Sequence, residues 1–451
     1  MSSAPIFALV PHGVLALTAV PRLAPWMEAT SKDGDPAARE HAVRVRCAVN
    51  AEQAARGEAQ EVLHTSAGCG ALTADGHRAA DLAGALALYL RESIPGAPWY
   101  AFGTLDLHAR VDTSPGLLVA LSRLSETVTK GNGPRPRVLL PVAARALVAR
   151  YPIDLGLRIA YVSSLSEAID TVRANVQPGF AHPAVMADPY REPEFALPYR
   201  GRALRALMVA AATRSHVEVN RAPWGTSLYG RTVAALRPWL TVEEAAEVMR
   251  AHDLAGLLTT DGAPRREPYA PPFRAPHHTA SRAGLVGARG RPGELALAHH
   301  GILFAESAEL RPETREAIEH AANTGRVTAG DRLYELGAYP TALQVVSTRP
   351  ARPEACSAER YSARRLHLDA TLHLDGSAPS EGESVSWQTA RAIVAAVSRE
   401  LRREGHTLPT RGAQARAFEL VSARLPAGPM TAEEIAAEAR EDFDAARVAL
   451  D

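Results

Sequence analysis

Two adjacent histidine pairs, His277-His278 and His299-His300, stand in a stretch dense in proline and glycine. Imidazole is the commonest zinc ligand, yet neighbouring residues point their side chains apart, so no metal is expected on either pair. Lysine chemistry is confined to two positions. Of the 50 basic residues only Lys32, in SKDGD, and Lys130, in VTKGNG, are lysines. Neither sits in a G-x-x-x-x-G-K-[ST] loop, so the chain has no intact phosphate-binding P-loop. A Ser–Lys dyad has Ser122, Ser125 and Lys130 to draw on, but no motif frames them. Cys69, in SAGCGA, has no identifiable base and reads as a small apolar filler. The three cysteines, Cys47, Cys69 and Cys356, form no CxxC pair, which argues against a disulfide framework or a cysteine zinc site.

Elements must hold whatever chemistry there is. The chain has 451 residues, 46% hydrophobic and 22% charged, an ordinary globular balance. Aromatics make up 5%, so aliphatic side chains must fill the cores. Lys+Arg 50 against Asp+Glu 50 gives zero net charge, which disfavours a globally basic nucleic-acid binder and leaves room for a local basic face. No run of 18 apolar residues occurs, and Met1-Ser2-Ser3 opens without a basic segment. Neither a membrane partner nor a secretory signal is expected, and a cytoplasmic protein is.

The periodicity predicts α/β organisation. Phe7–Val10 and Gly13–Leu17 read as strands split by Pro11-His12, and Pro36 to about Asn50 as a helix. Asp81 to about Arg91 reads as a second helix. Arg137–Pro141 and Leu157–Val162 read as buried strands. Five prolines, Pro178, Pro183, Pro189, Pro193 and Pro198, then mark an extended connector and a domain boundary. Beyond it come a helix at Arg202–Thr213, a strand at His216–Val219 and a helix at about Leu228–Leu236. Thr241 and Glu244 form a capping box ahead of another helix. Gly301–Ala305 and Leu343–Ser347 read as strands, and Pro312–Asn323 as a helix. From about Ser357 onward the chain reads as helical, with Ser386 capping a helix that Gly405 stops. Thr431 opens a last helix, and Asp442 and Asp444 in it would repel phosphate.

Residues 272–304 read PFRAPHHTASRAGLVGARGRPGELALAHHGILF. This run closely resembles the ComM (YifB-type) family of bacterial AAA+ proteins, relatives of the magnesium-chelatase ATPase subunit, whose pattern is PFRAPHHT-x-S, ALVGGG, RPGE-I-x-LAH and GVLFLDE. RALRALMVAAA at Arg202–Ala212 looks like the family's helix before its P-loop. Arg237–Ala245 looks like its PPLTEEEA, and His252–Leu257 like its HSVAGLL. The match is strong over 200–350, faint over 35–170 and nearly absent past 360. It implies a fold: a Lon-protease-like α/β domain over 1–177, the proline-rich linker over 178–198, an AAA+ α/β core over 199–356 and a helical C-terminal lid region over 357–451. The implied activity is that of a hexameric, ATP- and Mg²⁺-dependent DNA branch-migration motor in natural transformation (competence) or recombination.

The motor parts implied by the resemblance depart from the pattern. Ungapped alignment puts Asn220–Ser227 on the family's GPPGSGKT, where only Gly225 and Ser227 persist and Thr226 replaces the lysine. Pro223 has no N–H to offer a phosphate, and Trp224 is bulky. The strand that should end in Asp-Glu ends in Glu306-Ser307, and serine is no carboxylate base. The sensor asparagine becomes Arg349, and Glu319 stands where the family carries arginine. The expectation is therefore a degenerate ATP site with no ATP or Mg²⁺ cofactor in use. What remains is a shape for binding DNA, branched or single-stranded, or for joining itself or an active AAA+ homologue in a ring. Arg274, His277, His278 and Arg282 are the candidate contacts, with Arg289 and Arg291 beside them. The alternative is an active ATP-driven DNA motor with an unusual site.

Overall fold

Arg137–Pro141 and Ile302–Glu306 are apolar on both sides, and each becomes an interior strand of a mainly parallel sheet. The computed structural model describes residues 6–10, 13–16, 18–20, 36–58, 64–66, 74–90, 97–129, 135–180, 193, 197–221, 227–258, 269–288, 291–307, 310–327, 339–340, 343–349, 366–375, 385–406 and 408–425. The fold class is α/β, in two units: Met1–Val185 with Met249–Pro268, and Met186–Val248 with Tyr269–Asp451. Among the described residues no helix is long and apolar enough to cross a membrane.

In the first unit, the two strands read from the sequence are β1 (Ile6–Val10) and β2 (Gly13–Ala16), and they pair antiparallel. β3 (Trp99–Ala101), β4 (Arg137–Pro141) and β5 (Arg158–Val162) extend the sheet in parallel, in the order β2-β1-β3-β4-β5. Helices α1 (Pro36–Ala55), α2 (Asp81–Tyr89), α3 (Leu117–Thr129) and α4 (Leu165–Arg173) belong to this unit. Asp81 is fully buried and clasps α2 to α1: it accepts from Arg44 Nε at 2.6 Å and lies 2.6 Å from His41 Nδ1. The serines of the Ser–Lys reading serve the fold. Ser122 donates to the Leu118 carbonyl and Ser125 to that of Leu155, each at 2.7 Å. Lys130 and Cys69 lie outside the described residues.

In the second unit, α5 (Gly201–Thr213) leads into β6 (Val217–Asn220), followed by α6 (Leu228–Leu236) and by α7 (Val242–Leu254), of which residues 242–248 belong to this unit. β7 (Phe273–Arg274), α8 (Arg282–Val286), α9 (Glu294–Leu297), β8 (Ile302–Glu306), α10 (Pro312–Thr324) and β9 (Gln344–Arg349) come next. The sheet order is β7-β8-β9-β6-β10, parallel throughout, where β10 is Leu372–Asp375. That last strand corrects the reading of everything after Ser357 as helical. Its four residues, LHLD, are too few to show a period.

Alternation along β8 sends side chains to two cores. Ile302 and Phe304 pack with Leu207, Met208, Val233 and the last two described helices, α11 (Trp387–Arg403) and α12 (Arg411–Arg424). Leu303 and Ala305 pack with Leu285, Leu295 and Ile318. Each fully buried leucine here contributes about 2 kcal/mol. The predicted caps form. Glu244 N–H donates to Thr241 Oγ1 at 3.2 Å, and Glu244 Oε2 accepts from Thr241 N–H at 3.1 Å. Ser386 Oγ accepts from Thr389 N–H at 3.1 Å, and Gly405 takes the left-handed backbone beyond α11. Burial drives His216 down to about 4, so the ring is neutral and its Nδ1 accepts from Val345 N–H at 3.0 Å. The segment opened by Thr431 lies outside the described residues.

Candidate functional site at the carboxyl ends of the second sheet

The chain leaves β6 toward one edge of the sheet, where β7 lies, and leaves the adjacent β9 toward the other, where β10 lies. Strands β6 and β9 therefore flank a topological switch point. Open α/β sheets bind ligands in the crevice beyond the carboxyl ends of strands at such a point. The register sets Asn220, the last residue of β6, opposite Arg349, the last of β9, and sets Glu306 of β8 opposite Thr348.

A side-chain contact joins the two strand ends. Arg349 donates to Asn220 Oδ1 through Nη2 at 2.6 Å and through Nε at 3.2 Å. Its Nη2 also lies 3.6 Å from Oε1 of Glu218, a buried carboxylate that His373 of β10 approaches at 3.0 Å. Arg349 itself is buried. Ser307 is fully buried: its N–H donates to the Thr348 carbonyl at 3.1 Å and its Oγ lies 3.4 Å from the same oxygen. Glu306 is half-buried at the strand end. Ser227 starts α6, its carbonyl accepting from Arg231 N–H at 2.9 Å. Gly225 and Thr226 lie within 222–226, outside the described residues. Glu319 on α10 has a structural partner, accepting from His367 N–H at 2.9 Å.

The PFRAPHHT insert is held by close backbone packing. Ile302 N–H donates to the Pro272 carbonyl at 2.6 Å, and a Cβ on Gly301 would collide with that carbonyl. The Arg274 guanidinium is matched by Glu294 through two bonds of 2.6 Å. His277 is exposed, with Nδ1 2.8 Å from Thr279 Oγ1, and His278 is half-buried against its ring. Arg282 and Arg291 are exposed, and Arg289 lies outside the described residues.

The expectation that adjacent histidines point apart fails for both pairs. The ring centroids are 4.1 Å apart at His277-His278 and 3.8 Å at His299-His300. In the second pair His300 adopts left-handed backbone, with φ 52°, which swings its ring beside that of His299. Both Nε2 atoms meet Oε2 of Glu247 on α7, at 2.7 and 2.8 Å. These two imidazoles hold the Glu247 carboxyl far below the ordinary carboxylate range, while burial pushes the His299 imidazole down. One turn earlier on α7, burial alone would push the Glu244 carboxyl up, but Arg214 bonds of 2.6 and 3.0 Å bring it down to about 2. Sequence reasoning missed Glu218, Glu247 and His373. None stands in a motif, and each acquires its role from a partner distant in sequence.

The family described as magnesium chelatase, subunit ChlI, matches residues 199–368. An uncharacterised protein of Mycobacterium tuberculosis is 34% identical over 173 residues, which is 36% of this chain and 33% of that one. YifB of Escherichia coli is 30% identical over 132 residues, 29% and 25% of the two chains. The competence protein ComM of Haemophilus influenzae is 30% identical over 156 residues, 34% and 30%. The chain thus spans a third or less of the length of these relatives. The matched segment carries four of the five strands of the parallel sheet, the insert and the capping box together, and over it the chain is similar to the ComM/YifB-like, magnesium-chelatase-related AAA+ proteins.

Proposed function

We propose that this is a catalytically degenerate ComM-like AAA+ protein, a cytoplasmic module that binds DNA or another AAA+ subunit without turning over ATP. The observation that carries the reading is the Arg349–Asn220 bond between the two strand ends at the switch point. A nucleotide needs strand ends that open toward it, with backbone N–H groups, a lysine and a free carboxylate. Here the strand ends are tied to each other. Position 226 is threonine, and Ser307 faces a backbone carbonyl inside the protein. The residues present do not fit ATP with Mg²⁺, and no catalytic step runs through them.

What persists is the fold-bearing part: α5, the Thr241 capping box, the insert and β8. Random change destabilises core and site alike, so loss confined to the site supports continued use of the shape. Exposed Arg282 and His277 offer phosphate contacts on a chain of zero net charge, while Arg274 is matched by Glu294. In the same reading the first unit keeps a Lon-protease-like fold and serves as structure.

The test is a pair of assays on the full chain. No ATP hydrolysis above background is expected, alone or with DNA. Binding of branched or single-stranded DNA at low salt should weaken with salt by about 0.7 to 0.9 in log K per log[salt] for each phosphate contacted. Micromolar ATP affinity abolished by Ser227→Ala would overturn the degenerate reading and favour the active motor. Absence of both DNA binding and association with itself or an AAA+ homologue would remove the binding role.

A further inference from the structure

Glu247, His299 and His300 bring three ligating atoms within 4.8 Å of one another. Two imidazole Nε2 atoms share one carboxylate oxygen, and the carboxylate is the most exposed of the three groups, at 37% against 3% and 12%. The surroundings of the His300 ring are the informative point. Its other nitrogen, Nδ1, is buried, has no hydrogen-bond partner and lies 3.7 Å from Oε1 of Glu244. A neutral imidazole carries one proton. With the proton on Nε2, the Nδ1 lone pair confronts the Glu244 carboxylate. With the proton on Nδ1, the Nε2 lone pair confronts the Glu247 carboxylate at 2.8 Å. Either neutral tautomer leaves a lone pair against an anion, a conflict that a proton or a metal ion relieves.

A cation between Nε2 and Glu247 removes the conflict. We propose that Glu247, His299 and His300 form a binding site for a divalent transition-metal ion of the zinc class. The donor set of two imidazoles and one carboxylate suits Zn²⁺, Co²⁺ or Ni²⁺ and not the oxygen-seeking Mg²⁺ or Ca²⁺. His300 then ligates through Nε2 and keeps its proton on Nδ1, aimed at Glu244, the outer-shell carboxylate that metal-bound histidines commonly have. Glu244 is itself held in place by Arg214 and the Thr241 backbone. A tetrahedral ion with bonds of about 2.0 Å sets its ligand atoms about 3.3 Å apart. The present 2.7 and 2.8 Å contacts therefore require Glu247, the exposed partner, to withdraw by about half an ångström. The left-handed backbone at His300, which costs about 1 kcal/mol in a non-glycine residue, is what brings the second ring to the site.

The experiment uses the full chain stripped with EDTA and exchanged into chelator-free buffer at pH 8. Zinc chloride is titrated by calorimetry and cobalt chloride by visible absorption. One equivalent of each should bind, with cobalt showing the intense bands of a tetrahedral site, and zinc should raise the melting temperature. Glu247→Gln preserves an acceptor for both N–H groups and removes the anionic ligand. It should weaken zinc binding at least about tenfold, the low end of what even outer partners of a metal site contribute. His300→Ala should do the same, and His277→Ala with His278→Ala should change nothing. The wild-type cobalt spectrum needs no variant to fold, so absence of a saturable equivalent there overturns the proposal. Undiminished zinc affinity in folded Glu247→Gln overturns it equally.

Discussion

The Arg349 guanidinium reaches the Asn220 side-chain oxygen at 2.6 Å, joining the ends of two strands separated by 129 residues of chain. Two positions aligned with parts of an ATPase, the head of the P-loop and the sensor, have become partners of each other. Arginine at position 349 thus ties the ends of the two strands together. Arg349→Ala should remove the guanidinium beside the buried Glu218 carboxylate and cost about 3 kcal/mol in urea unfolding. Pairing Arg349→Met with Glu218→Leu should recover much of that, and additive losses would show that the two charges are not coupled.

Glu244 gives an acid-side prediction. Its carboxyl titrates near 2 in the folded protein against an ordinary 4.5. A lowered folded value means stability that is present above 4.5 and lost as pH falls toward 2, up to about 3 kcal/mol. Comparing Glu244→Gln with wild type from pH 7 to pH 2, the destabilisation should shrink through that window. A constant difference would place the effect in packing.

Asp253 gives the opposite sign. Burial raises it from 3.8 to about 7, although its Oδ2 accepts from Leu118 N–H at 2.7 Å. The folded state prefers the protonated acid, so this group costs stability increasingly as pH rises from 3.8 through 7. Asp253→Asn should stabilise the protein at pH 8 by up to about 4 kcal/mol and hardly at all at pH 4. Melting curves at the two pH values decide it.

Gly301→Ala tests the insert. Its Cβ would meet the backbone of Pro272, which cannot step aside as a flexible side chain does. A loss of about 2–3 kcal/mol is expected, and a neutral outcome would mean the insert shifts freely on β8.

The elements with several turns or strong alternation are legible in the amino-acid sequence. Leu228–Leu236 and Arg137–Pro141 have the bounds predicted from their apolar spacing, and Thr241–Glu244 caps as its residue types require. The departures at Glu306-Ser307 and Arg349 are legible as substitutions. Their consequence is not, because Arg349 finds Asn220 and Glu218 only once β6 and β9 are paired. The His299-His300 geometry hinges on one backbone angle that histidine adopts rarely, which no spacing announces. The strand at Leu372–Asp375 is held by its register with β6 more than by its own propensity.

That late strand bears on how the protein is made. β6 is the first strand of its sheet to leave the ribosome, yet both its neighbours, β9 and β10, are synthesised far later. Until then its N–H and C=O groups have no sheet partner, and the apolar face of α5 waits for α11 and α12. A nascent chain halted before residue 372 exposes a sticky edge at the heart of the domain. Such a topology closes late, so C-terminal truncation is more hazardous to the protein than the modest length of β10 suggests.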